Sequence, residues 1–136
     1  MKKVLFACVH NAGRSQMAAA FFNERADPSK AVASSAGTDP GPRVHPKVVA
    51  AMKEAGIDLS NAGTKRLTPE LAADVQFLIT MGCGDQCPVM PGAQRDDWPI
   101  DDPEGRSVEH VRGIRDEIRH RVEDLIRQEG WKRDER

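Results

Sequence analysis

Val4-Leu5-Phe6-Ala7-Cys8-Val9-His10-Asn11-Ala12-Gly13-Arg14-Ser15-Gln16-Met17-Ala18 is the stretch on which the fold turns. It opens with four apolar residues, the length of a strand buried on both faces. A loop with one glycine follows, and then a run of good helix formers through Asn23, with Ser15 as a plausible N-cap. Strand, tight loop and helix in that order suggest a βα unit whose loop lies at the carboxyl end of a central parallel strand.

The pattern repeats along the chain. Ala31–Ser35 reads as a second strand that ends at Ala36-Gly37. His45–Ala55 places Val48, Val49, Met52 and Ala55 at helical spacing, with Gly56 as its stop. Thr68 opens a short helix over Pro69–Ala73, and Val75–Thr80 is a third apolar strand. Val108–Arg127 carries Val111, Ile114, Ile118, Val122, Leu125 and Ile126 on one helical face. Strands alternating with helices predict an α/β domain with a parallel sheet. We expect one domain over residues 1–129 and a polar, frayed tail over 130–136.

Composition removes several function classes. The 136 residues carry 20 Lys+Arg against 21 Asp+Glu, so no basic face recommends a nucleic-acid partner. No apolar run approaches the roughly 18 residues of a membrane span, and the run after Lys2-Lys3 is too short for a signal peptide. The expected compartment is the cytosol, where three cysteines suggest thiol chemistry or metal binding, not a disulfide framework.

The loop itself has a Cys-x5-Arg-Ser pattern. Successive N–H groups at a helix N-terminus make an anion cradle, to which Val9, His10, Asn11, Ala12 and Gly13 would contribute. Gly13 is expected to permit the backbone twist. Arg14 offers a planar fork for two oxygens of a tetrahedral oxyanion. The same N–H groups favour Cys8 as a thiolate, Ser15 can donate its hydroxyl to it, and the Asn11 amide can hold the loop's shape. The competing view is an inert buried cysteine followed by a surface arginine.

Cys8–Ser15, running into Gln16-Met17-Ala18, resembles the low-molecular-weight protein tyrosine phosphatase superfamily, and within it the thioredoxin-coupled arsenate reductases. Ser35–Thr38, Ala51–Ser60, Thr80–Cys87, Trp98–Pro103 and Val111–Ile118 extend the resemblance from Lys3 to about Glu129. It implies a four-stranded parallel sheet flanked by helices. It also implies Asp102, the Asp directly before Pro103, as the acid that protonates a leaving oxygen, with Asp101 as its neighbour. An Asx-type turn into the last helix is the alternative use of that segment. Phosphatases of the superfamily follow this Asp-Pro with tyrosines. Here Glu104-Gly105 follows and the chain has no Tyr, while Trp98 is a single ring that also suits the core. A small oxyanion therefore fits better than an aromatic ester.

Cys83 and Cys87 lie in Met81-Gly82-Cys83-Gly84-Asp85-Gln86-Cys87-Pro88, a segment whose glycines suggest an exposed loop. The resemblance implies arsenate as substrate, with phosphate or sulfate as competing oxyanions. Cys8 is the nucleophile, Cys83 the second thiol and Cys87 the resolving thiol, with thioredoxin as electron donor and no bound cofactor. Well-known three-cysteine relatives have a longer gap between the last two cysteines, and other relatives pass arsenic to an external low-molecular-weight thiol. A zinc half-site at Cys83-x3-Cys87 has no second pair, since His10, His45, His110 and His120 are not spaced to supply one. Relatives that bind potassium use carboxylates at the positions of Ala19 and Lys65. No potassium site is expected, and the Lys65 ammonium is a candidate to stand in the ion's place. Nothing suggests an obligate oligomer, and a monomer is expected.

Overall fold

The computed structural model describes residues 1–82 and 93–133. Its elements are β1 (Lys2–Cys8), α1 (Arg14–Arg25), β2 (Ala31–Gly37), α2 (Pro46–Glu54), α3 (Pro69–Ala73), β3 (Phe77–Thr80), β4 (Gln94–Asp97) and α4 (Val108–Glu129). The four strands form one parallel sheet in the order β2-β1-β3-β4. β1 runs beside β2 on one side and β3 on the other, so the chain reverses its direction of winding there. Cys8, at the carboxyl end of β1, and Met81-Gly82, directly after β3, lie at that switch point. Met81 N–H donates to the Ala7 carbonyl at 2.8 Å, which sets Gly82 beside Cys8's strand end.

Alternation along β1 sorts the core. Val4, Phe6 and Cys8 face α1, α2 and α4, among Met17, Phe21, Phe22, Met52, Ile114 and Ile118. Leu5 and Ala7 face the other way, into a smaller cluster with Ala72, Val75 and Leu78 beneath α3. Central strands covered on both faces are why β1 reads as an unbroken apolar run. β4 escaped the sequence reading because Gln94-Arg95-Asp96-Asp97 has no apolar side chain. An edge strand needs only backbone pairing, here with Phe77–Thr80.

Two expectations need correction. Ser15 is not an N-cap: Gly13 occupies that position and Ser15 lies in the first turn. Residues 130–133 are not frayed either. Gly130 turns left-handed at φ 76°, Trp131 is 7% exposed against Phe22 and Phe77, and Lys132 bridges Ala26. A buried indole outweighs the polar composition around it, because an aromatic ring this size dominates local burial. No helix among the described residues is long and apolar enough to cross a membrane.

Candidate active site

The loop from Cys8 to Gly13 is built by turning its carbonyls outward. The Cys8, Val9, His10 and Ala12 carbonyls accept from the N–H groups of Thr38, Asp39, Gly41 and His45. The Asn11 carbonyl accepts from Gln16 Nε2 at 3.1 Å, and Gly13's from Met17 N–H at 3.0 Å. With every carbonyl of residues 8–13 engaged, the N–H groups of residues 9–13 have no acceptor among the described residues. They are left for an anion, beside the positive end of α1.

Asn11, not Gly13, supplies the left-handed backbone, at φ 51°. Asn tolerates this conformation because its short amide bonds locally. The lack of a side chain at Gly13 serves another end: a Cβ there would lie 2.7 Å from Pro103 Cγ. Pro103 thus closes directly over the loop and carries Asp102 with it.

The buried polar groups form a chain with a definite direction. Lys65 N–H donates to Asn11 Oδ1 at 3.0 Å, which fixes that atom as oxygen and Nδ2 as the donor. Gln16 Nε2 also reaches Oδ1, at 3.2 Å, and the Gly63 carbonyl at 2.9 Å. Asn11 Nδ2 donates to Ser15 Oγ at 2.7 Å, and Ser15 Oγ lies 2.9 Å from Cys8 Sγ. A hydroxyl that accepts from Asn11 has its single proton to give, and the partner in reach is Cys8. The chain is therefore complementary to a thiolate. Cys8, Asn11 and Ser15 are at most 1% exposed. Lys65 enters through its backbone alone. Lys65 as a whole residue is exposed.

Arg14 is 7% exposed. Its Nη1 donates to the Ile100 carbonyl at 3.1 Å, and its Nη2 lies 3.7 Å from Asp102 Oδ2. Gly82, at φ +89°, packs so closely that a Cβ would fall 2.3 Å from Arg14 Nη1. The two neighbouring aspartates diverge: Asp102 turns to Arg14, while Asp101 Oδ2 meets His110 Nε2 at 3.3 Å. Of the residues the sequence singled out, Cys8, Ser15 and Asn11 share one buried chain, and Arg14 and Asp102 pair with each other. The sequence reading missed Gln16, the Ile100 carbonyl and Gly82. Gly82 was visible only as one glycine in a glycine-bearing segment, and a carbonyl has no signature in sequence. Cys83 and Cys87 lie outside the described residues.

A family model described as low molecular weight phosphotyrosine protein phosphatase matches residues 3–135. The chain belongs to that family. It is 38% identical to the glutaredoxin arsenate reductase of Synechocystis sp. over 129 residues, covering 93% of this chain and 97% of the relative. Among solved structures it is similar to a thioredoxin-dependent arsenate reductase of Corynebacterium glutamicum, with TM-score 0.81 and 39% identity over 94% of this chain. The chain spans 61% of that protein's length. It is also similar to an arsenate reductase in the phosphate binding state, with TM-score 0.78, 36% identity, and coverage of 94% of this chain and 98% of the other.

Proposed function

We propose that this chain reduces arsenate to arsenite, with Cys8 as nucleophile and electrons supplied by its own thiols. One observation carries the choice of substrate: a thiolate-favouring anion loop in a chain with no ring to spare. All four Phe and both Trp are spent in the core. Phe6, Phe21 and Phe22 are fully buried, Phe77 packs against the same cluster, and Trp98 and Trp131 are 5% and 7% exposed. With no Tyr, no aromatic side chain remains to wall a slot for a phenyl ester. A bare tetrahedral oxyanion needs only the N–H groups and the Arg14 fork.

In this reading the Cys8 thiolate attacks arsenic and a sulfur–arsenic bond forms. An arsenic–oxygen bond breaks, and the oxygen leaves as water with a proton from Asp102. A Cys83 thiolate then attacks Cys8 Sγ. The sulfur–sulfur bond forms while the sulfur–arsenic pair stays on arsenic, which leaves as arsenite two electrons richer. Cys87 attacks Cys83, frees Cys8 and carries the disulfide to thioredoxin. Cys83 is the residue directly after Gly82, which touches Arg14, and this favours it over Cys87 as the second thiol. A reducing cytosol suits a chain that must regain three thiols each cycle. The similar proteins carry both glutaredoxin and thioredoxin in their names, so the external reductant is the point with a rival.

Mass spectrometry after one equivalent of arsenate tests the relay. Cys87→Ser should accumulate a Cys8–Cys83 disulfide and stall. Normal cycling of Cys87→Ser with thioredoxin would remove the three-thiol scheme in favour of an external thiol.

A further inference from the structure

We propose that His45, Asp102 and Glu104 form a binding site for a divalent cation of zinc's class at the rim of the anion loop, and that its occupation withdraws Asp102 from catalysis. The second half rests on Asp102 being the acid; the first does not.

A ring nitrogen of His45 and carboxylate oxygens of Asp102 and Glu104 all lie within 4.8 Å of one another. Zinc bonds of about 2.0–2.2 Å place neighbouring donors of a tetrahedral site about 3.4 Å apart, so small side-chain rotations complete the set. The backbone beneath is already held. His45 N–H donates to the Ala12 carbonyl at 2.9 Å, and Lys47 Nζ, from α2, donates to the Arg106 carbonyl at 2.6 Å. Asp102 and Glu104 flank Pro103, which is wedged against Gly13.

Two of the three donors have no other work. Among the described residues, neither the His45 imidazole nor the Glu104 carboxylate makes a hydrogen bond or ion pair, although His45 is half-buried. Both line two hollows of about 440 and 240 Å³, so solvent can supply the remaining ligands. One imidazole and two carboxylates suit zinc better than magnesium or calcium, which prefer all-oxygen shells.

Charge sets the strength. Two carboxylates attract a dication, but Arg14 stands 3.7 Å from Asp102, Arg43 lines the larger hollow and Lys47 the smaller. A cation must draw Asp102 away from Arg14. The site is therefore a reversible inhibitory one. His45 is too far in sequence from Asp102 and Glu104 for the three to show as a motif.

Thiols would bind zinc themselves, so the test begins with the Cys8→Ser, Cys83→Ser, Cys87→Ser chain, titrated with zinc chloride by calorimetry. One zinc per chain is expected, with no magnesium uptake. Adding His45→Ala or Glu104→Gln should each weaken binding by more than about tenfold, since these are direct ligands. Glu104 is exposed, so its variant is safe for folding. Adding Asp102→Asn to the same thiol-free chain should weaken zinc binding to a similar degree, because the proposed acid is then one of the ligands. No zinc uptake by the thiol-free chain, or uptake indifferent to both His45→Ala and Glu104→Gln, would overturn the site whatever the chain's reaction. Zinc uptake that depends on His45 and Glu104 but is indifferent to Asp102→Asn would overturn the link to Asp102.

Discussion

Ser15→Ala cuts the buried chain at its last link. The serine hydroxyl lies 2.9 Å from Cys8 Sγ and 2.7 Å from Asn11 Nδ2. Removal takes one donor from the sulfur and one acceptor from the amide, both without access to water. A hydrogen bond to a charged partner contributes about 1.5–3 kcal/mol, and the variant loses that stabilisation of an anionic sulfur. A sulfur stripped of its donor is also a stronger nucleophile. With a Brønsted coefficient near 0.4–0.5, about half of the loss returns on a logarithmic scale. Alkylation of Cys8 by iodoacetamide, followed on the Cys8 peptide by mass spectrometry, should slow about threefold to tenfold. Arsenate turnover should fall in step. The stranded Asn11 N–H adds a stability loss of about 1–3 kcal/mol, read separately as the urea midpoint. A variant that loses stability but alkylates at the wild-type rate would refute the direction assigned to the chain, with Cys8 then the donor.

Further perturbations test other parts. Gly82→Ala combines a left-handed backbone, which costs about 1–2 kcal/mol for a side-chain residue, with a collision at Arg14 Nη1; KM for arsenate should rise more than stability falls. Trp131→Ala removes the ring packed at 5.8 and 5.3 Å from Phe22 and Phe77, and should cost about 3–5 kcal/mol in chemical denaturation. Glu54 joins α2 to α4 by hydrogen bonds from Arg112 at 2.9 and 2.7 Å and from Arg115 at 3.1 Å. The Arg112 hydrogen bonds, more than any other influence, hold its carboxyl below the usual range. A lowered folded value contributes stability above the unfolded value, lost as pH falls through the folded one. The stability gap between wild type and Glu54→Gln should thus be full at neutral pH and close only below about pH 4.3.

What the sequence disclosed follows from what each feature depends on. β1, α1 and α4 are legible because burial writes itself into periodicity, and the anion loop because cysteine, arginine and serine must stand at fixed offsets on one short turn. β4 is illegible because an edge strand of Gln94-Arg95-Asp96-Asp97 leans on backbone pairing with β3. Trp131 is misplaced because a polar tail hides one large ring. The link from Lys65 to Asn11 is illegible because it is a main-chain N–H, which any residue except proline could supply. The His45–Asp102–Glu104 grouping arises only when the loop before α2 meets the loop before α4.

The most direct test of the central claim is NADPH oxidation in a mixture of this chain, arsenate, thioredoxin and thioredoxin reductase. Oxidation should require all of them, yield arsenite in equal amount, and drop to the blank for Cys8→Ser. Absence of arsenate-dependent oxidation, together with aryl phosphate hydrolysis that survives Cys83→Ser and Cys87→Ser, would contradict the account and make the chain a phosphatase.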